Sequence, residues 1–332
     1  MKSTFKNIQK GVLQAASLCV LISLSMAVSG QNTDSTANSL SDTLVAPVQP
    51  KKIKPVRDLF ESIWIIDNQT VIVPIPKSFE MDIMHRFGTL ENGYQDFYGL
   101  FASSNIRLAF NYVPIKNLLI GVAITKANMT WEGFAKYSIL KQTKEKYPVS
   151  VSYYSNISVD TRTKDHFVWW SDRLMFFNQV LVARKFGKKL TVQVAPSISH
   201  QNVVNGYYQT SGSVADSTYK AEVKGEMKHD HFALAISARY KVKEKMSILF
   251  NYDQPLTAHP TNNPNPNLSL GIELTTSSHA FQLFFTNFYY LTPQRNNLFN
   301  KNNPITIKSW NDITFYPGHF LIGFNITRLW NY

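Results

Sequence analysis

Eleven stretches of this chain alternate apolar with polar or small side chains at a period of two, a twelfth is apolar on both faces, and no stretch beyond the first thirty residues carries 18 consecutive apolar ones. A period of two is that of a strand whose two faces meet different surroundings. The final stretch shows it most clearly. From Gly318 to Tyr332, one row holds Phe320, Ile322, Phe324, Ile326, Trp330 and Tyr332, interrupted only by Arg328. The other row, Leu321, Gly323, Asn325, Thr327, Leu329 and Asn331, is mostly small or polar. Without an apolar helix, the remaining way to span a bilayer is a closed barrel, because each backbone amide and carbonyl in hydrocarbon must be paired internally. The reading is therefore all-β, an antiparallel up-and-down transmembrane β-barrel of about 12 strands.

The N-terminus carries Lys2, Lys6 and Lys10 ahead of an apolar run over 11–28, with the small residues Ala27, Ser29 and Gly30 behind it. That is the layout of a secretory signal peptide over 1–30, cut near Gly30. Cleavage there removes Cys19, the only cysteine, so no disulfide or cysteine metal site is expected in the mature chain. It also lowers the formal charge from +12 to +9, since 34 − 3 = 31 basic residues face 22 acidic ones. Export argues against nucleic acid as the partner of this basic excess. Outer-membrane lipid and lipopolysaccharide are expected instead, with a barrel-assembly machinery during insertion and a small solute as permeant.

Residues 31–58 are rich in Ser, Thr, Pro and Lys and read as a flexible leader. Residues 59–76 are more apolar, with Phe60, Trp64, Ile65, Ile66, Val71 and Val73 before Pro74 and Pro76. They read as a pre-barrel segment, either at the periplasmic mouth or as a plug. Residues 77–332 form the barrel. Rows begin at Phe79, Asn105, Leu118, Ala135, Val149, Leu174, Leu190, Phe232, Met246, Leu268, Phe281 and Gly318; the one starting at Leu174 is apolar on both faces, which leaves its register open. Long polar intervals follow the first, fifth, seventh, ninth and eleventh rows, and short ones such as 114–116 and 276–278 lie between. Alternating turns and loops are the habit of outer-membrane barrels, not of a secreted β-sandwich. An even strand count returns both termini to the periplasm.

Several short motifs carry a resemblance: His85-Arg86-Phe87-Gly88, Asn105-Ile106-Arg107-Leu108, Ala183-Arg184-Lys185-Phe186, Ala195-Pro196 with His200, His279-Ala280-Phe281-Gln282-Leu283 with Thr286-Asn287, and Gly323-Phe324-Asn325-Ile326 with Arg328. With these, the chain resembles a bacterial domain-of-unknown-function family of predicted outer-membrane β-barrel proteins over most of 59–332. Ser277 and Ser278 stand where glycines would be expected. The resemblance implies fold and location and no function.

The inward rows hold the candidate lumen-lining residues Glu80, Asp82, Arg86, Arg107, Lys136, Arg239 and Glu273, four basic against three acidic. Tyr112, Tyr137, Tyr240, Tyr252, Trp330 and Tyr332 lie near strand ends in outward rows, as an aromatic girdle would. The eight histidines are scattered and no Gly-x-Ser-x-Gly elbow is present. His229-Asp230-His231 comes nearest to a metal cluster but offers no third ligand. No catalytic residue, cofactor or metal is assigned, and the chain is read as not an enzyme. The expected function is a passive outer-membrane channel for small solutes. The alternatives are a plugged structural or partner-docking barrel without conductance and, behind both, an outer-membrane hydrolase.

Overall fold

The computed structural model describes residues 54–211, 219–309 and 312–331, within the compact unit Ile53–Tyr332. The export signal, Cys19, the leader up to residue 53 and Tyr332 lie outside them. The strands, in chain order, are β1 Trp64–Ile65, β2 Asn68–Gln69, β3 Phe79–Thr89, β4 Asn105–Ile115, β5 Leu118–Thr125, β6 Thr130–Leu140, β7 Ser150–Asp160, β8 Leu174–Phe186 and β9 Leu190–Gln201. They continue with β10 Gly206–Ser211, β11 Lys220–Gly225, β12 Asp230–Lys243, β13 Met246–Pro255, β14 Asn267–Thr275, β15 His279–Thr286, β16 Ile305–Ser309, β17 Asp312–Phe315 and β18 Leu321–Trp330. One short helix, α1, spans Pro293–Phe299.

Twelve strands, β3 to β9, β12 to β15 and β18, pair antiparallel with their neighbours and close into a barrel. The seam joins β18 to β3, with Trp330 opposite Phe79 and Ile326 opposite Ile83. Apolar rows meet apolar rows there because a one-residue slip would turn every outward side chain inward. His85 stacks on Phe324 across the seam at 5.0 Å. Outward residues such as Val122, Trp131, Leu270 and Phe285 are exposed around the barrel. An apolar band of this extent suits hydrocarbon, not water. Among the described residues no helix is long and apolar enough to cross a membrane.

β8 settles the open register, since Met175, Phe177, Gln179, Leu181 and Ala183 are its buried, inward set. The last strand is shorter than its alternation suggests. Pro317–His319 form a 3-10 turn and pairing begins only at Leu321, as suits a proline that cannot donate to the ladder. The alternation of connection lengths breaks at two neighbouring connections: 126–129 on the loop side is short, whereas 141–149 on the turn side is long enough for Thr143 to bridge Pro55. The loop after β9 contains the β10–β11 hairpin, and the loop after β15 contains α1 and the β16–β17 hairpin.

Strand packing is tight on the inner face. Gly271 pairs with Phe284, and a Cβ on it would lie 2.3 Å from the Phe284 Cβ and 2.5 Å from the Leu283 carbonyl oxygen. Gly271→Ala is therefore expected to destabilise the barrel by about 1–3 kcal/mol, the usual effect of overpacking. Urea titration followed by the heat-modifiable gel shift checks it, and an unchanged midpoint would mean that β14 and β15 can part without cost.

Candidate functional site: a stoppered lumen

Eight strands close on an interior that side chains alone can fill, so twelve leave a bore. Here the chain fills the bore itself. Leu59, Phe60, Ile63, Trp64, Ile65, Ile66, Val71 and Val73 are buried in one cluster with the inward residues Met84, Ala109, Phe134, Tyr154, Phe177 and Phe284. The segment left open between mouth and plug thus lies inside. Small inward residues, among them Ala109, Ala123, Ala195 and Ala235, make room for it.

The segment comes in from the turn side, where the Val56 amide donates to the Gln142 carbonyl at 2.7 Å, and it leaves through Lys77, whose amide donates to the Val113 carbonyl. Between these points it folds back through β1 and β2, with Trp64 opposite Gln69. Ile66 at the bend has φ 60°. That conformation is costly for a β-branched residue and persists only where the surroundings impose it. Here they do: Gln282 Oε1 accepts the Ile66 amide at 3.1 Å, and Asn325 Nδ2 donates to its carbonyl at 2.6 Å.

Wall side chains reach several more of the plug's backbone groups, beside the few bonds within the plug such as that from the Thr70 amide to the Ile63 carbonyl. Gln193 Nε2 donates to the Gln69 carbonyl at 2.7 Å while its Oε1 accepts the Val71 amide at 3.1 Å. Ser152 Oγ donates to the Val71 carbonyl at 2.8 Å. Lys136 Nζ donates to Gln69 Oε1 at 2.8 Å and to the Thr70 carbonyl at 3.0 Å. Trp64 Nε1 donates to Asp82 Oδ2 at 3.0 Å, an oxygen that Asn111 Nδ2 also reaches at 2.7 Å. Arg239 bridges wall and plug, with Nε 3.0 Å from Glu273 Oε1 and Nη2 2.8 Å from Glu61 Oε1.

From the loop side α1 closes the other end. Thr292 and Pro293 start this short helix, proline suiting a first turn whose amides have no helical partner. Asn296 Nδ2 donates to Asp67 Oδ2, and Asn251 Nδ2 on the wall donates to Asp67 Oδ1 at 2.9 Å. Asp67 at the plug's tip is therefore where plug, wall and helix meet. Asn300 Nδ2 holds the loop to Asn267 Oδ1 at 2.9 Å.

The seven charged residues expected in the inward rows, Glu80, Asp82, Arg86, Arg107, Lys136, Arg239 and Glu273, are all buried. They fall into separate groups. Arg107 Nε lies 2.7 Å from Glu132 Oε1, and its guanidinium is 5.0 Å from the Trp64 ring. Arg86 donates to Asn325 Oδ1 at 3.0 Å and lies 4.5 Å over Phe284. Glu80 and Asp82 share the Trp64 side of the bore. Glu132 lies outside the row that starts at Ala135; it stands four residues before Lys136, on the same alternation. Asp67, Asn68 and α1 carried no periodic signal.

Of the aromatic residues at strand ends, Tyr112, Tyr137 and Tyr240 are exposed and Trp330 half-buried, all at the turn end. Phe79 stands opposite both Tyr112 and Trp330, and Tyr137 stands opposite Tyr153. Tyr252 lies towards the loop end, opposite Leu268. Arg328, the interruption in the last outward row, holds its guanidinium 4.6 Å over the Trp330 ring. The histidines do not converge on a metal. His229 Nδ1 bonds the Gln201 carbonyl, His231 Nδ1 lies 2.8 Å from His259 Nε2, and Asp230 takes His200. Among the described residues no group of three or more His, Cys, Asp or Glu could hold a metal ion.

Fold and site together define a transmembrane antiparallel barrel whose bore is filled by its own chain. The protein belongs to the family described as membrane bound beta barrel domain (DUF5777), whose model matches residues 60–330. Similar solved structures include the NanC porin, 8% identical over 76% of this chain and 98% of that one, TM-score 0.41. An outer membrane channel from Pseudomonas putida F1 is 10% identical over 78% and 97%, TM-score 0.43. The Pseudomonas putida toluene transporter TodX is 8% identical over 78% and 89%, TM-score 0.35. Likeness at this level says nothing about a solute. No curated protein sequence matches the chain.

Proposed function

We propose that the protein is an outer-membrane channel for small solutes that rests closed, stoppered from the turn side by residues 59–73 and from the loop side by α1. The barrel termini, lying with the short turns, face the periplasm in this reading. The observation that carries it is the chemistry of the wall behind the plug. Lys136, Gln193, Gln282, Asn325, Asn251 and Ser152 are buried polar side chains that hold the plug by hydrogen bonds. A bore meant only to be filled is served as well or better by apolar side chains. A polar wall keeps its solvation when water replaces the plug, so both states are available to it.

The test is conductance of the mature chain in planar bilayers beside Lys136→Met, which removes the Nζ contacts to Gln69 and Thr70. The unmodified barrel is expected to open rarely, and Lys136→Met to raise open probability about tenfold or more, the equivalent of a lost charged hydrogen bond. No current from either protein, both shown folded by the heat-modifiable gel shift, would sink the channel reading and leave the plugged structural or partner-docking barrel.

A further inference from the structure

The loop-side mouth holds a cavity of about 240 Å³ between loop 161–173, the end of β9 and α1, and its lining is divided in character. One side is charged. Arg162, Arg173 and Arg295 line it together with the carboxylates of Asp160, Asp172 and Glu226. Asp160 is shared: Arg162 holds it through Nε at 3.0 and 3.2 Å and through Nη2 at 2.9 Å from Oδ2, and Arg295 Nη2 lies 2.7 Å from the same Oδ2. Arg173 Nη1 donates instead to the carbonyls of Asp160 and Arg162, at 2.8 and 2.6 Å. Asp172 neutralises none of the three by contact, since its carboxylate accepts the Trp169 amide at 2.8 Å. Arg295 Nε is buried and has no hydrogen-bond partner. A buried donor left unpaired is costly, so an acceptor placed there gains more than it would in water.

The other side is apolar, with Phe167, Met175, Val204, Met227 and Phe299. Phe167 lies 4.5 Å from the Arg173 guanidinium, and Phe299 lies 5.8 Å from that of Arg295. Asp160 takes the two-pronged donor face of Arg162, so a planar anion would be met by Arg173 and by the unpaired Nε of Arg295. The volume is below the roughly 300–1,000 Å³ of drug-sized sites, so the occupant is small.

From this juxtaposition we infer that the loop-side vestibule binds a small organic anion with an apolar body, its carboxylate between Arg173 and Arg295 and its body against Phe167 and Phe299. The inference deepens the channel reading by naming a solute class, and it rests on that reading for the site's place on a route of passage. Binding itself is measured without current.

Isothermal titration of the mature chain in detergent with benzoate is the test, with acetate, benzylamine and toluene as controls. Benzoate is expected to bind, acetate and toluene to bind about tenfold more weakly or worse, and benzylamine not at all. Arg295→Gln is expected to weaken benzoate about tenfold or more, as loss of a charged hydrogen bond implies. Because Arg295 also pairs with Asp160, Phe167→Ala in the surface loop is a second variant, expected to weaken benzoate and leave acetate unchanged. Absent benzoate binding, equal binding of toluene, or benzoate affinity indifferent to both variants would overturn the proposal. Benzoate binding to a barrel that passes no current would retain the site and remove the channel. Current without benzoate binding would do the reverse.

Discussion

Replacing Trp64 by alanine is expected to destabilise the barrel by about 3–5 kcal/mol, the range for deleting a large buried aromatic side chain. Trp64 is 2% exposed and among the largest buried side chains of the plug. Its indole packs in the cluster that joins plug to wall, lies 5.0 Å from the Arg107 guanidinium, and donates to Asp82 at 3.0 Å. Truncation removes all three contacts and takes from Asp82 Oδ2 one of its donors, leaving Asn111 Nδ2. Water can enter the vacated space from the turn side, so loss of stability and gain of current should appear together. Urea midpoints from the gel shift measure the first, and bilayer conductance the second. A loss below about 1 kcal/mol would show that the plug is not seated as described.

Arg107→Met should have an effect of similar size by a different route. Arg107 and Glu132 are both fully buried, with Nε 2.7 Å from Oε1. Thr125 Oγ1 and Asn156 Nδ2 also donate to the Glu132 carboxylate, at 3.2 and 2.8 Å. Removing the arginine strands a buried carboxylate, which costs about 3–5 kcal/mol. The double replacement Arg107→Met with Glu132→Leu should recover most of that loss, because buried ion pairs replaced by apolar residues of similar volume are often neutral. A double-mutant cycle on urea midpoints checks it. Equal losses in the single and double variants would mean that Arg107 stabilises through Trp64 and Phe134, whose rings it overlies, and not through its charge.

The barrel was legible because a membrane strand writes its surroundings into alternate residues. Phe79, Met81 and Ile83 face lipid while Glu80 and Asp82 do not, and this holds wherever the strands pair. The inward charges could be assigned from the same parity, Glu132 being lost only to a boundary. β8 resisted because Phe176, Phe177, Val180 and Leu181 are apolar in both rows: lipid outside and plug inside select the same chemistry. The plug could be suspected from its apolar composition, but Trp64–Gln69 pairs over too few residues for periodicity to show. α1, with Gln294, Asn296 and Asn297 buried, reads as a polar loop.

Burial in lipid is a local, residue-by-residue constraint, so the strands, their facing and hence a closed barrel follow from the amino-acid pattern. What occupies the bore and what gathers at its mouth do not. Asp67 meets Asn251 and Asn296 across separations of 184 and 229 residues, and Arg295 reaches Asp160 across 135. Contacts of that range depend on how the ring closes and leave no period in the chain.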